Sequence, residues 1–189
     1  SIPAMSDTVN IQASFWDDWN ATHRERSQSE LSLRQRREIV AWLDSHATGR
    51  SLSILDVGCG AGWMTEALMA YGSVTGTDLS ANCLDRARLR WPKATFVAGD
   101  FNEIELPEAH YDVVVSLEVL AHVADQPAFL AKIARLLKPG GYLLMATQNK
   151  PVLARWGRIP PRKPGNLRRW VDRKELRALL KPRFDVIEL

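Results

Sequence analysis

The sequence predicts an α/β fold in which helices cover both faces of a parallel sheet. Three observations predict it. From Leu52 onward, short β-branched or apolar runs alternate with stretches of helical spacing. The first run leads into a turn with glycines at 58, 60 and 62. Acidic residues Asp56, Asp78 and Asp100 stand at the ends of the first three runs.

A chain of 189 residues with 46% hydrophobic and 25% charged residues has ordinary globular composition and enough length for one substantial core. One domain is therefore expected. No apolar run approaches the roughly 18 residues of a membrane span, and no basic segment followed by an apolar stretch opens the chain. A soluble, cytoplasmic protein is the expectation. Residues 1–4 precede Met5 and read as a cloning remnant, with Met5 as the native start. The two cysteines, Cys59 and Cys83, have neither disulfide-framework nor zinc-site spacing, so unpaired thiols are expected.

Residues 1–50 read as an N-terminal helical cap, because Phe15, Trp16, Trp19, Leu31, Leu33, Ile39, Val40, Trp42 and Leu43 recur at spacings near three and four. Residues 51–189 form the sheet domain, with strands expected at 52–57, 73–77, 94–98, 111–116 and 141–147. Ser80 is suited to N-cap a helix ending near Pro92, and Asp125 with Pro127 opens another that ends before Pro139-Gly140-Gly141. The proline-, glycine- and arginine-rich segment 148–170 reads as a loop or cap on the substrate side. Asp172 and Glu175 form a capping-box pattern for a helix through Leu180, after which FDVIEL starts a sixth strand. A sheet stopping there leaves a raw hydrophobic edge, so C-terminal strands on the order of 40 residues are expected to be missing.

Charge divides unevenly. Residues 1–149 carry 13 basic and 18 acidic side chains, and residues 150–189 carry 12 and 4. A basic end of this size suits an anionic small molecule, a nucleic acid or a lipid surface, and equally a solvated helix and loop.

ILDVGCGAGW, residues 54–63, is the strongest chemical signal: a buried strand, then glycines that let backbone approach a ligand closely, then a helix presenting free N–H groups. Gly62 follows Gly60 by two positions rather than three and is followed by Trp63, which disfavours a dinucleotide pyrophosphate site. GTDLS places Asp78 at a strand end, where a carboxylate accepts hydrogen bonds from a ribose diol. VAGDF places Asp100 and Phe101 where they suit an adenine amino group and ring face. Taken singly, each acid is as well explained as a helix cap.

In order, ILDVGCGAG, GTDLS, AGDF, YDVVVSLEVLAHV and LLKPGGYLLMAT resemble the motifs of class I S-adenosylmethionine-dependent methyltransferases over residues 52–147. Within that superfamily the chain resembles the small-molecule branch, which includes the ubiquinone-biosynthesis O-methyltransferases and many sugar and natural-product enzymes. The resemblance implies a Rossmann-like seven-stranded sheet, S-adenosylmethionine as cofactor with S-adenosylhomocysteine as product, and methyl transfer to an oxygen or nitrogen of a small acceptor. It implies that Asp56, Gly58, Cys59 and Gly60 hold the methionine part, Asp78 the ribose, and Leu79, Asp100 and Phe101 the adenine, while Ser116 and Leu117 flank the methyl group. Phe15, Trp16 and Trp19 resemble an aromatic segment that closes over the cofactor; a helix packing on the core accounts for them equally.

In EVLAH, relatives with a second glutamate hold a divalent metal, but here that position is Ala121, so Glu118 and His122 lack a full oxygen set and no metal is expected. His122 is the candidate general base, with a histidine bonded to a neighbouring turn as the alternative. Trp156, Trp170 and the arginines of 150–169 suit an acidic aromatic or phosphorylated acceptor. A nucleic-acid methyltransferase is the first rival, disfavoured because neither an Asn/Asp-Pro-Pro-aromatic motif nor a Pro-Cys nucleophile occurs. A nicotinamide-dependent oxidoreductase and a non-catalytic cofactor-binding module are the others.

Overall fold

A computed structural model describes residues 7–47, 49–155 and 163–189; the expected start at Met5 and Trp156 of the basic segment lie outside them. Strands β1 (Leu52–Val57), β2 (Gly72–Asp78), β3 (Thr95–Ala98), β4 (Tyr111–Leu117) and β5 (Leu137–Ala146) form one sheet in the order β3-β2-β1-β4-β5. Every pairing is parallel. Strand order reverses between β1 and β4, and such a switch opens a crevice outside the carboxyl ends of the two strands.

Side chains of a strand alternate between faces, so a parallel sheet needs cover on both. Ile54, Val113, Val115 and Leu117 pack with Ile39 and Leu43 of α2 (Glu30–His46) and Leu68 of α3 (Thr65–Met69). Leu55, Val57 and Val114 face the other way, toward Phe129, Ile133 and Leu136 of α5 (Gln126–Leu136) and Leu176 and Leu180 of α7 (Arg173–Leu180). A third cluster joins Cys59 and Phe96 to Leu84 and Ala87 of α4 (Ala81–Arg90). Each fully buried leucine contributes about 1.5–3 kcal/mol relative to exposure. The expected caps are present: Ser80 accepts from Cys83 N, Asp125 from Ala128 N, and Asp172 and Glu175 form the reciprocal capping box.

Among the described residues the sheet has five strands, so the sixth expected at the end of the chain is corrected. FDVIEL, residues 184–189, is not a strand. An extended segment becomes one only when its N–H and C=O groups meet a neighbour's. Phe184 and Val186 pack instead against the α5–α7 cluster. β5 starts at Leu137, earlier than expected, because Leu137 pairs with Tyr111 and the ladder resumes at Tyr142 opposite Val113, with Lys138–Pro139–Gly140–Gly141 looped between. Leu31 and Leu33, read as part of an apolar helix stripe, stand 59% and 41% exposed, since α2 turns Ser32, Ile39 and Leu43 inward instead.

The cap begins with α1 (Asp7–Trp19), which runs directly into a π-helical turn, Asn20–Arg24. Such turns are rare and frequent at functional sites. Ion pairs fasten the cap to α4: Arg86 reaches Asp17 at 3.0 Å and Glu25 at 2.8 Å, and Arg90 reaches Glu25 at 3.0 Å. Beyond β5, α6 (Lys150–Arg155) lies within the segment 148–170, and Asn149 bridges to Val171.

Candidate active site at the carboxyl ends of the strands

The glycine turn is tied to β2 through backbone groups. Gly58 N and Cys59 N both donate to Thr77 O, at 2.8 and 2.9 Å. Gly60 N donates to Asp78 Oδ2, and Ser80 N to Asp78 Oδ1, each at 3.0 Å. Each carboxylate oxygen keeps lone-pair capacity for a further donor. Gly60 has a φ of +55°, and a Cβ there would stand 2.6 Å from Asn20 Oδ1, so cap and turn approach as closely as only glycine permits. The buried Sγ of Cys59 is turned to the Gly60 carbonyl oxygen at 3.4 Å.

Asp56, at the end of β1, is 3% exposed and its Oδ2 has no hydrogen-bond partner. Burial, reinforced by the Asp78 charge and opposed by Arg24, pushes its carboxyl up to about 7. Ser116, paired with Val57 across the switch point, is fully buried and its Oγ is also unpartnered. Leu117 follows it, buried, at the end of β4. Glu118 has a φ of +62°, a left-handed conformation unusual for a residue with a side chain and of the kind that collects at functional sites. Its Oε1 accepts from Gln35 Nε2 at 2.6 Å, while burial raises its carboxyl above the ordinary range against the Gln35 bond and the Arg24 charge.

His122 ends the short helical turn Leu120–His122. Its Nδ1 lies 2.6 Å from Leu167 O, and the Trp16 ring centroid is 4.5 Å from its own. A carbonyl oxygen only accepts, so Nδ1 carries the hydrogen and Nε2 the lone pair. Burial holds the imidazole below its usual value, with Arg168 adding to that and the Leu167 bond opposing it. Gln12 of α1 donates to the His122 carbonyl oxygen at 2.9 Å.

The structure thus brings together Asp56, Gly58, Gly60, Asp78, Ser116 and the cap. Leu79, half-buried, links Asp78 to Ser80. Phe101 is placed differently from the rest: it is 8% exposed in the core, edge-on to Phe129 at 5.1 Å and beneath Lys132 Nζ at 5.2 Å. Asp100 Oδ1 accepts from Asn102 N at 3.0 Å, closing the turn after β3. Among the described residues no group of three His, Cys, Asp or Glu side chains stands where it could hold a metal ion. Sequence reasoning missed Asn20, Arg24 and Gln35, for their recruitment depends on how the cap folds back rather than on any local motif. The Arg24 guanidinium carbon lies 5.3 Å from the Trp19 ring centre and 4.7 Å from that of Trp63.

The methyltransferase domain family matches residues 55–145, a span that includes Asp56, the glycine turn, Asp78, Asp100 and the β4 exit. Residues 55–145 are thus similar to a methyltransferase domain. A ubiquinone biosynthesis O-methyltransferase of Thiobacillus denitrificans is 37% identical over 121 residues, 59% of this chain and 50% of that protein. A probable S-adenosylmethionine-dependent methyltransferase of Mycolicibacterium smegmatis is 32% identical over 148 residues, 77% of this chain and 56% of its own. The chain spans about half the length of the curated relatives it matches. The domain's fold matches that of magnesium protoporphyrin IX methyltransferase from Synechocystis with bound S-adenosylhomocysteine, with a TM-score of 0.67, 21% identity, and 91% of this chain and 88% of that one covered.

The site fits S-adenosylmethionine, the cofactor that the resemblance implies. Asp56 Oδ2 is a buried acceptor in want of a donor such as an ammonium, and Asp78 keeps lone pairs for ribose hydroxyls beside the glycine turn. No helix among the described residues is long and apolar enough to cross a membrane.

Proposed function

We propose that the protein transfers a methyl group from S-adenosylmethionine to an oxygen or nitrogen of a small-molecule acceptor, with oxygen favoured by the names of its relatives. The observation that carries the reading is the set of unpartnered buried polar atoms, Asp56 Oδ2 and Ser116 Oγ, beside a glycine turn bonded to Asp78. The bound cofactor supplies a sulfonium methyl whose carbon–sulfur bond breaks with the electron pair staying on sulfur. Asp56 and the turn hold the methionine end, Asp78 the ribose, and Leu79 and Asp100 the adenine side, while Phe101 supports that wall from the core.

Ser116 and Leu117 sit at the switch point, where they position the reacting carbon. His122 Nε2 takes the acceptor proton as the new bond forms, its ring aimed by Leu167 and backed by Trp16. Methyl transfer is an in-line displacement, so alignment of the nucleophile about 3 Å from the methyl carries much of the acceleration. Arg168, 5.9 Å from the Trp170 ring centre, gives the strap after β5 a cation and an aromatic face suited to an acidic aromatic acceptor. In the same basic end Lys150 pairs with Glu175, and Arg169 donates to the Ala124 carbonyl oxygen.

Incubation with methyl-labelled S-adenosylmethionine and a panel of phenolic, carboxylic and amine acceptors tests the reading. Label in at least one small acceptor is expected. Tight cofactor binding without transfer to any small acceptor, or transfer to RNA alone, contradicts it.

A further inference from the structure

Gln126 opens α5, and its side chain turns back into the protein, with the residue 7% exposed. Its Nε2 donates to two carbonyl oxygens at 2.9 Å each, Leu120 O, 6 positions before it, and Arg169 O, 43 positions after it. A carbonyl oxygen only accepts, so the amide nitrogen faces both and its two N–H groups are spent there. Leu120 opens the helical turn that ends at His122, and Arg169 lies in the strap, just beyond Leu167. The same two segments meet through backbone, where Arg169 N donates to Ala121 O at 2.7 Å. His122 Nδ1 closes the set on Leu167 O at 2.6 Å. One primary amide therefore ties the turn that carries the imidazole to the strap that carries the imidazole's partner.

The amide comes from a firm support. Asp125 caps α5 by accepting from Ala128 N, and Phe129, Leu130 and Ile133 anchor the helix in the core. Groups delivered from a helix are placed more closely than groups delivered from a loop. Gln12 of α1 bonds the His122 carbonyl oxygen, which holds the backbone of the turn and leaves the ring free to rotate. Ring direction then depends on where the strap keeps Leu167 O. We propose that Gln126 is a positioning residue for His122, its amide fastening the strap to the turn so that Nδ1 stays bonded to Leu167 O and Nε2 stays the basic atom. The inference rests on the reading of His122 as the base given above.

The tautomer of His122 is the readout that a merely structural amide would not move. Nitrogen NMR of histidine-labelled protein, with S-adenosylhomocysteine present and the His122 signal assigned through His122→Phe, is compared for the wild type, Gln126→Met and Gln126→Glu at pH 8, where the imidazole is neutral. The wild type is expected to hold the hydrogen on Nδ1. In both variants the ratio of the Nδ1–H to the Nε2–H form is expected to fall by about 3–10-fold, the factor that one neutral hydrogen bond supplies. Affinity for S-adenosylhomocysteine, measured by isothermal titration on the same samples, should stay within about twofold of wild type, a change far below one hydrogen bond to the ligand. Gln126→Glu covers the case in which Gln126→Met does not fold, since its carboxylate keeps the shape, donates nothing and is favoured in the first turn of a helix. A wild-type tautomer ratio in a folded variant overturns the proposal, whatever its thermal midpoint, and so does a loss of cofactor affinity as large as the change in tautomer. A wild type with its hydrogen on Nε2 overturns the reading of His122 as the base along with it.

Discussion

The Nδ1 of His122 stands 2.6 Å from the carbonyl oxygen of Leu167, across 45 positions of sequence. That bond makes the strap after β5 the element that sets the tautomer of the only histidine at the β4 exit among the described residues, and it leaves Nε2 as the basic atom. His122→Phe keeps the ring volume and removes the base. Turnover is expected to fall about 10²-fold at neutral pH with cofactor affinity nearly unchanged. Because the imidazole is held below 6.5, the wild-type turnover at saturating cofactor should stay level on acidification to that value and decline only beneath it. A variant with wild-type turnover assigns His122 to positioning alone.

Asp56 carries the pH dependence of the cofactor site. Its carboxyl, pushed up to about 7, must be ionised to meet an ammonium, so affinity should rise with pH up to about 7 and then level, with proton release on binding below it. For the free protein the sign is opposite. The folded state holds its proton more tightly than the unfolded one, whose carboxyl keeps the value 3.8, so stability is greatest below 3.8 and is lost as pH rises to about 7. The loss is on the order of 2–4 kcal/mol. Urea unfolding at pH 5 and pH 8 should show it in the wild type and not in Asp56→Asn; equal pH slopes in the two proteins contradict the assignment.

Gly60→Ala probes the closeness of cap and turn. The added methyl meets Asn20 Oδ1 at 2.6 Å on a backbone of φ +55°. A loss of roughly 1–3 kcal/mol is expected, together with weaker cofactor binding. Gly140→Ala is a useful control, because a Cβ there meets nothing within 4 Å although φ is +76°. A larger loss at 140 than at 60 contradicts the packing argument.

Arg86→Ala releases the cap from α4 by removing its pairs to Asp17 and Glu25. The side chains are partly exposed, so the thermal midpoint should drop by the equivalent of about 1 kcal/mol, and less in high salt. Proteolysis between α1 and α2 should accelerate. An unchanged cleavage rate shows that the cap is held by its aromatic contacts instead.

The order of elements was legible because parallel strands and their covering helices leave periodic marks, and Ser80, Asp125 and Asp172 mark helix starts by side-chain chemistry that acts within four residues. FDVIEL has strand composition, but composition does not provide a partner, and the segment packs as an unpaired stretch. The bonds between the glycine turn and Asp78 follow from the same kind of local pattern. Phe101 follows β3 as its place in the sequence predicts, while its packing edge-on to Phe129 and beneath Lys132 depends on α5 and left no local mark. Arg24 and Gln35 reach the site from the cap, 34 and 23 positions ahead of Gly58, and no spacing rule spans a chain reversal of that length.

Thermal unfolding with and without saturating S-adenosylhomocysteine, for the wild type and Asp78→Ala, tests the cofactor site most directly. At about 100 times its dissociation constant the ligand should stabilise the wild type by about 2.7 kcal/mol, raising the midpoint by several degrees. Asp78→Ala unties the glycine turn and removes the ribose acceptor, so its midpoint should not respond. A wild type that gains nothing from the ligand, or a variant that gains as much, contradicts the account.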